Sequence, residues 1–277
     1  MNTQQIEIRL LLDAMRLMYG YDFSGYSVDM LTRRILDTLS KSHCTRVADL
    51  IPKILYDQEF FSALIYNISI PVTEMFRDPS FYRCLREKVL PKLTTYPYLN
   101  VWHAGCATGE EVYSLAIILK EEGLYDKCQI YATDINDIAL KKAQEGIYRA
   151  SDMATYTQNY QKAGGTGTFS DYYHAKYDGA KIDASLKEKV TFANHNLVTD
   201  GVFGEMHLIL CRNVFIYFNR ELQNDVSKLF LESLCRGGYL CLGNSESLLF
   251  SETEKAFHEI SRDEKIYQNK HVQVKST

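Results

Sequence analysis

Two adjacent acids, Glu110 and Glu111, follow the small residues Gly105-Cys106-Ala107-Thr108-Gly109, and a third acid, Asp134, lies 25 residues beyond Gly109. Small residues let the backbone turn tightly and let a ligand approach it. A phosphate-gripping loop would carry Lys-Ser or Lys-Thr after its last glycine, and a dinucleotide fingerprint would read Gly-x-Gly-x-x-Gly. Here the spacing is Gly-x-x-x-Gly, and the two acids that follow would repel a pyrophosphate. They suit a ligand with a positive charge and hydroxyls. S-adenosylmethionine, with its sulfonium, ammonium and ribose diol, meets that description, and Asp134 is placed to accept both ribose hydroxyls. A tight strand-to-helix turn alone accounts for the glycines but not for the acid at 134.

These residues need elements to hold them. Leu99, Val101 and Trp102 predict a short buried strand before the glycines. A helix then starts at Glu110, with an apolar face at Val112, Leu115, Ala116 and Leu119. Residues 129–133 read as a second strand ending at Asp134, and 138–145 as a helix. Strands at 190–193, ending at Asn194-His195-Asn196-Leu197, and at 207–213 follow; the second is apolar enough for a sheet covered on both faces. A helix over 220–235 is expected to stop at Gly237-Gly238, before a strand at 239–242 and a hairpin of 257–261 with 265–268. The pattern is a Rossmann-like α/β methyltransferase sandwich.

Before it, residues 1–69 predict an all-helical domain. Its first helix, over 4–19, would bury Ile6, Leu10, Ala14, Leu17 and Met18 and stop at Gly20. Ser27 would cap a second helix, with Val28, Leu31, Ile35 and Leu39 on its inner face. Val47, Leu50, Ile54 and Leu55 suggest a third helix, and Phe61, Leu64, Ile65 and Ile68 a fourth. Arg33 and Arg34 on the second helix form a local positive pair that is either a solvated face or a contact for a partner. Residues 70–91 read as a linker, extended at Pro71, and a leading helix that starts at Asp78-Pro79 and is stopped by Pro91. Residues 92–277 then form the main domain, interrupted at about 148–189 by a helical approach and a small antiparallel sheet turning at Asp178-Gly179. That insertion either covers a sheet edge or docks a partner.

Composition limits the alternatives. The 277 residues are 46% hydrophobic and 24% charged, with a formal net charge of −4, so no global field favours nucleic acid. Seven cysteines form no C-x-x-C pair and read as buried thiols of a reducing compartment. Charged residues interrupt the N-terminus and no uncharged run could span a bilayer, so a cytoplasmic protein without membrane insertion is expected.

The stretches VTEMFRDPSFY (72–82), GCATGEEVYSLA (105–116), ATDIN (132–136), LCRNVFIYF (210–218) and GGYLCLGNSESL (237–248) occur in the order found in the chemotaxis receptor methyltransferase (CheR) family. The chain resembles that family of protein-glutamate O-methyltransferases over nearly its whole length. The resemblance implies that Thr73 and Arg77 contact the cofactor and the substrate side of the site. It implies that Glu111 and Asp134, with the Gly105 to Gly109 loop, hold the amino-acid part and the ribose of S-adenosylmethionine. Asn196 and Leu197 would flank adenine, and Arg212, Asn213 and Tyr217 would line the methyl-transfer end. The implied partner is a protein substrate, the cytoplasmic helical region of a chemoreceptor, and no metal is implied. One departure stands out: Ile70-Pro71 replaces the family's Thr-Asn pair before Phe-Phe-Arg.

The chemistry of such a reaction agrees with these residue types. A glutamate is already ionised near neutral pH, so its methylation needs alignment and dryness rather than a general base. Arg77 offers two donors to a carboxylate and Tyr217 one, which makes them the candidate catalytic pair. His103 and His195 read as structural, having no nucleophile or second ligand spaced with them. Ser245-Glu246-Ser247 lacks the Gly-x-Ser-x-Gly of a hydrolytic elbow. The competing readings are a same-fold enzyme acting on another signalling protein or a small carboxylate, and a non-catalytic S-adenosylmethionine sensor.

Overall fold

The computed structural model describes residues 2–69, 73–202 and 204–270. Helix α1 (Thr3–Tyr19) starts at an Asn2 capping box and ends at Gly20 in the left-handed region, φ 76°. Its inner face differs from the expected one: Ile8, Leu11 and Met15 are buried, while Leu17 is 80% exposed and Ile6, Leu10 and Met18 face outward. The helix carries two apolar stripes at helical spacing, and the packing of its neighbours decides which one is covered. In α2 (Val28–Lys41) Met30, Leu31 and Ile35 are buried, whereas Val28, expected inside, is exposed. Ser27 precedes α2 as expected, yet its side chain makes no cap bond. Helices α3 (Leu50–Tyr56) and α4 (Gln58–Ser69) complete the domain, with Phe61, Leu64, Ile65 and Ile68 all buried.

The described part of the linker turns rather than extends. Met75 and Phe76 sink into the main core, the Phe76 N–H donates to Ser114 Oγ at 2.9 Å, and Phe76 and Asp78 take φ of 54° and 56°. Pro79 opens α5 (Pro79–Cys84), as expected. The helix does not stop at Pro91. A π turn (Leu85–Val89) leads into α6 (Leu90–Leu93), and Pro91 occupies a first-turn position where its missing N–H costs little.

Then come β1 (Leu99–Ala104), α7 (Glu110–Glu121), β2 (Cys128–Asp134) and α8 (Asp137–Glu145). The insertion holds β3 (Ile147–Arg149), α9 (Met153–Lys162), β4 (Tyr173–Lys176) and β5 (Gly179–Ile182). The chain closes with β6 (Val190–Asn194), β7 (Met206–Cys211), α10 (Arg220–Ser233), β8 (Leu234–Leu242), β9 (Phe257–Ser261) and β10 (Ile266–Asn269). The expected glycine stop after α10 is not used. The chain passes from helix to strand at Leu234, and Gly237, at φ 75°, lies within β8 near its break in register with β7.

The large sheet runs β6-β2-β1-β7-β8-β10-β9, parallel through β8 and antiparallel at the closing hairpin. One face carries Val101, Ile130, Leu208 and Cys241 against α5 and α7, and the other carries Trp102, Ile209 and Leu240 against α10. All six β7 residues are buried, as a doubly covered strand requires. The insertion forms its own sheet, β3-β5-β4, with β3 the strand unmarked in the sequence. Its Tyr148, Tyr156, Phe169 and Ile182 join the main core, so it is not an appended module. The chain order reverses across β1 and β7, which opens a crevice at their carboxyl ends.

Candidate functional site

At the end of β1 the Gly105 and Cys106 N–H groups both donate to the Thr133 carbonyl, at 2.8 and 2.9 Å. This folds the loop over the end of β2 and brings the Ala107 N–H to Asp134 Oδ2 at 2.9 Å, while Asn136 N–H donates to Oδ1 at 2.9 Å. Gly105 has φ 79°, and a Cβ there would lie 2.6 Å from Val214 Cγ2. Gly109, at φ 90°, would press its Cβ on Ala143 at 2.9 Å. The loop therefore requires both glycines. Burial raises the Asp134 carboxyl, and the N–H groups of Ala107, Asn136 and Ile135 offset only part of that.

Across the cleft, the Arg212 side chain is fully buried and holds two acids. Nη1 donates to Glu111 Oε2 at 2.9 Å and Nη2 to Asp78 Oδ2 at 2.8 Å, with the guanidinium 4.0 Å from the Phe81 ring centroid. Asp78 thus serves Arg212 rather than capping α5. Glu111 Oε1 lies 3.4 Å from His103 Nδ1. Burial pushes the Glu111 carboxyl up, but His103 and Arg212 outweigh it and leave it below its ordinary value. His103 is buried behind Glu111.

Thr73, Arg77, Gly105, Glu111, Asp134, Leu197, Arg212, Asn213 and Tyr217 line one cleft with roughly 1180 Å³ of space, open in part to solvent. Two candidates lie off that lining. Gly109 turns the chain into α7, and Asn196 spends its side chain on the Val198 N–H at 2.9 Å. Residues 70–72, with the Ile70-Pro71 departure, lie outside the described residues. His195 does line the cleft, its ring set edge-on to Trp102 at 5.3 Å.

The helical domain supplies a wall that the motifs do not announce: Phe23, Tyr26, Ile68 and Ser69. The aromatic run Tyr21, Phe23, Tyr26, set around Gly25, is the sequence signal for it. Ser27 N–H donates to the Tyr217 carbonyl and Asn219 N–H to the Gly25 carbonyl, both at 2.8 Å, around a Tyr26–Phe218 bridge. Tyr217 is half-buried, which raises its phenol, and the charges of Arg77, Arg34 and Arg33 counter part of that rise. Arg33 and Arg34 are thus close enough for their charge to act on Tyr217, although neither lines the cleft.

Glu110 is spent differently from its neighbour. Its side chain points away from the cleft lining, is 6% exposed and accepts from Thr108 Oγ1 at 2.6 Å. Burial lifts its carboxyl from 4.5 to about 7. A raised acid stabilises the fold below its unfolded pKa, and that contribution disappears as pH rises through the folded one. Relative to wild type, Glu110→Gln is expected to be more stable at pH 8.5 than at pH 5 by about 3 kcal/mol. Urea titrations of both proteins at the two pH values measure this; an unchanged difference would remove Glu110 from the account.

A parallel sheet with its crevice at the switch point, an acid closing β2 and a glycine loop without a phosphate-binding lysine together define an S-adenosylmethionine-dependent methyltransferase fold. Residues 71–266 match the CheR methyltransferase SAM-binding domain, and residues 6–69 match the CheR methyltransferase all-alpha domain. The chain belongs to the CheR methyltransferase family. It is 48% identical to the Pseudomonas putida protein Cher3, over 95% of this chain and 96% of that protein. It is 31% identical to the chemotaxis protein methyltransferase of Listeria monocytogenes, over 83% and 86% of the two chains. A 104.1 kDa uncharacterized protein of Rhodobacter capsulatus matches at 29% identity over 93% of this chain, which covers 27% of that longer protein.

Proposed function

We propose that this protein transfers the methyl group of S-adenosylmethionine to glutamate carboxylates of a protein, giving methyl esters, and that the acceptor is a chemoreceptor's cytoplasmic helical region. The carrying observation is that Arg77 and Tyr217 line the cleft beside Arg212 and Asn213, with the Arg77 charge acting on the Tyr217 phenol. The relatives named chemotaxis protein methyltransferase support the choice of acceptor.

The donor set fits the cofactor. Asp134 keeps lone pairs for ribose hydroxyls after accepting from the Ala107 and Asn136 N–H groups, and Glu111 places a charge for an ammonium. Thr73, Leu197 and Asn213 would complete its binding, and the backbone of Gly105 lets it lie close. When bound, S-adenosylmethionine supplies an electrophilic methyl on a sulfonium. The chain's own residues do the rest by positioning. Arg77 holds the acceptor carboxylate through a planar fork, and Tyr217 donates to one of its oxygens. Phe23, Tyr26 and Ile216 exclude water from the path. No residue must remove a proton, because the acceptor is already ionised. Arg33 and Arg34 present positive charge to an acidic acceptor approaching Tyr217, and the β3-β5-β4 sheet offers it a second contact.

Incubating the protein with methyl-labelled S-adenosylmethionine and a bacterial lysate tests the reading. Label is expected on protein and is expected to leave as methanol in mild base, as a carboxyl ester must. Base-stable label, or label confined to nucleic acid or small molecules, would sink it.

A further inference from the structure

The sequence stretch Ser245-Glu246-Ser247 has no part in the site as described, and Glu246 does not line the cleft. Yet Glu246 is 4% exposed and, among the described residues, forms no ion pair; its oxygens are met by backbone N–H groups instead. Oε2 accepts from Gly243 N–H at 2.5 Å and Asn213 N–H at 3.0 Å, and Oε1 accepts from Ile216 N–H at 3.3 Å. Gly243 follows β8 and Asn213 lies two residues past β7, so one carboxylate ties together the ends of two adjacent parallel strands. Asn213 is in the left-handed region, φ 62°, a conformation asparagine adopts more readily than most residues, and the bond from its N–H to Glu246 helps to hold it there. Ile216 is the middle of the turn Phe215–Tyr217 that carries the phenol.

We infer that Glu246 is a positioning residue for methyl transfer: it sets the course of residues 213–217 and thereby aims Asn213 and Tyr217 into the cleft. The inference rests on the roles proposed above for those two residues. A carboxylate suits the task because both of its oxygens accept, whereas an amide has a single accepting oxygen and would turn an NH2 toward a backbone N–H. A second route to the same bridge is Gly243. Its backbone is not left-handed, but a Cβ there would lie 2.8 Å from both Asn213 N and Glu246 Oε2. Alanine at 243 therefore wedges the bridge while leaving the carboxylate in place.

The test compares wild type, Glu246→Gln and Gly243→Ala, full-length in each case. Calorimetry gives the Kd for S-adenosylhomocysteine, and methyl transfer to the acceptor protein gives kcat and KM. Both variants are expected to lower kcat ten- to hundredfold while KM stays within about threefold and Kd rises only severalfold, through Asn213, because the cofactor keeps the proposed contacts to Asp134 and Glu111 whereas the phenol depends on the turn for its aim. A folded Glu246→Gln protein with wild-type kcat overturns the inference. So does a fall in kcat matched by an equal loss of cofactor affinity, which marks a merely structural prop. If Glu246→Gln fails to fold, Gly243→Ala decides by the same two criteria. A wild type that methylates no protein fails the underlying reading, a result distinct from an active wild type with indifferent variants.

Discussion

Arg212→Leu is expected to lower folding stability by about 3 kcal/mol and to abolish cofactor binding. Its guanidinium is wholly buried and is the shared partner of Glu111 and Asp78, at 2.9 and 2.8 Å. Removing one member of a buried pair costs about 3–5 kcal/mol, because a charge is left behind without its partner. Here two acids would be left, but Asp78 is 31% and Glu111 19% exposed, so water can reach both and the lower end applies. Urea unfolding measures the loss. Lysine should restore little, since a single ammonium cannot span two carboxylates as the planar fork does. Combining Arg212→Leu with Glu111→Gln and Asp78→Asn should recover much of the stability but none of the binding. A single variant with the wild-type unfolding midpoint would show that the acids do not depend on Arg212.

Asp134→Ala is expected to weaken S-adenosylmethionine binding by about 1.5–3 kcal/mol, or roughly ten- to 150-fold, the scale for hydrogen bonds to a charged group. The carboxylate faces the cleft from the end of β2 and also anchors the glycine loop through Ala107. Asparagine should retain part of the affinity, because one of its two terminal atoms still accepts. Calorimetry on the folded variant decides: an unchanged Kd would take Asp134 out of the ribose role.

The strand-loop-helix over 99–121 was legible because its signals are local: a β-branched and aromatic strand, two obligatory glycines and acids in the first helical turn. Asp134 was legible for the same reason, as a polar residue ending an apolar run. The α1 face was not, because two stripes share the helical period and only tertiary packing chooses between them. Pro91 misled as a stop because a π turn shifts the hydrogen-bond pattern before it. The wall made by Phe23 and Tyr26 lies 82 and 79 positions before Gly105, and no local pattern encodes a contact over that distance. The part played by Glu246 is not legible in the sequence, because its partners are backbone groups, which leave no trace in residue identity.

The short backbone bridge between residues 25–27 and 217–219 joins the helical domain to the residue proposed to meet the acceptor. The same domain forms one wall of the cleft. Swinging that wall outward must either break both 2.8 Å hydrogen bonds or drag Tyr217 with it. Wall and phenol are therefore one mechanical unit: while both hydrogen bonds hold, neither can be displaced without the other.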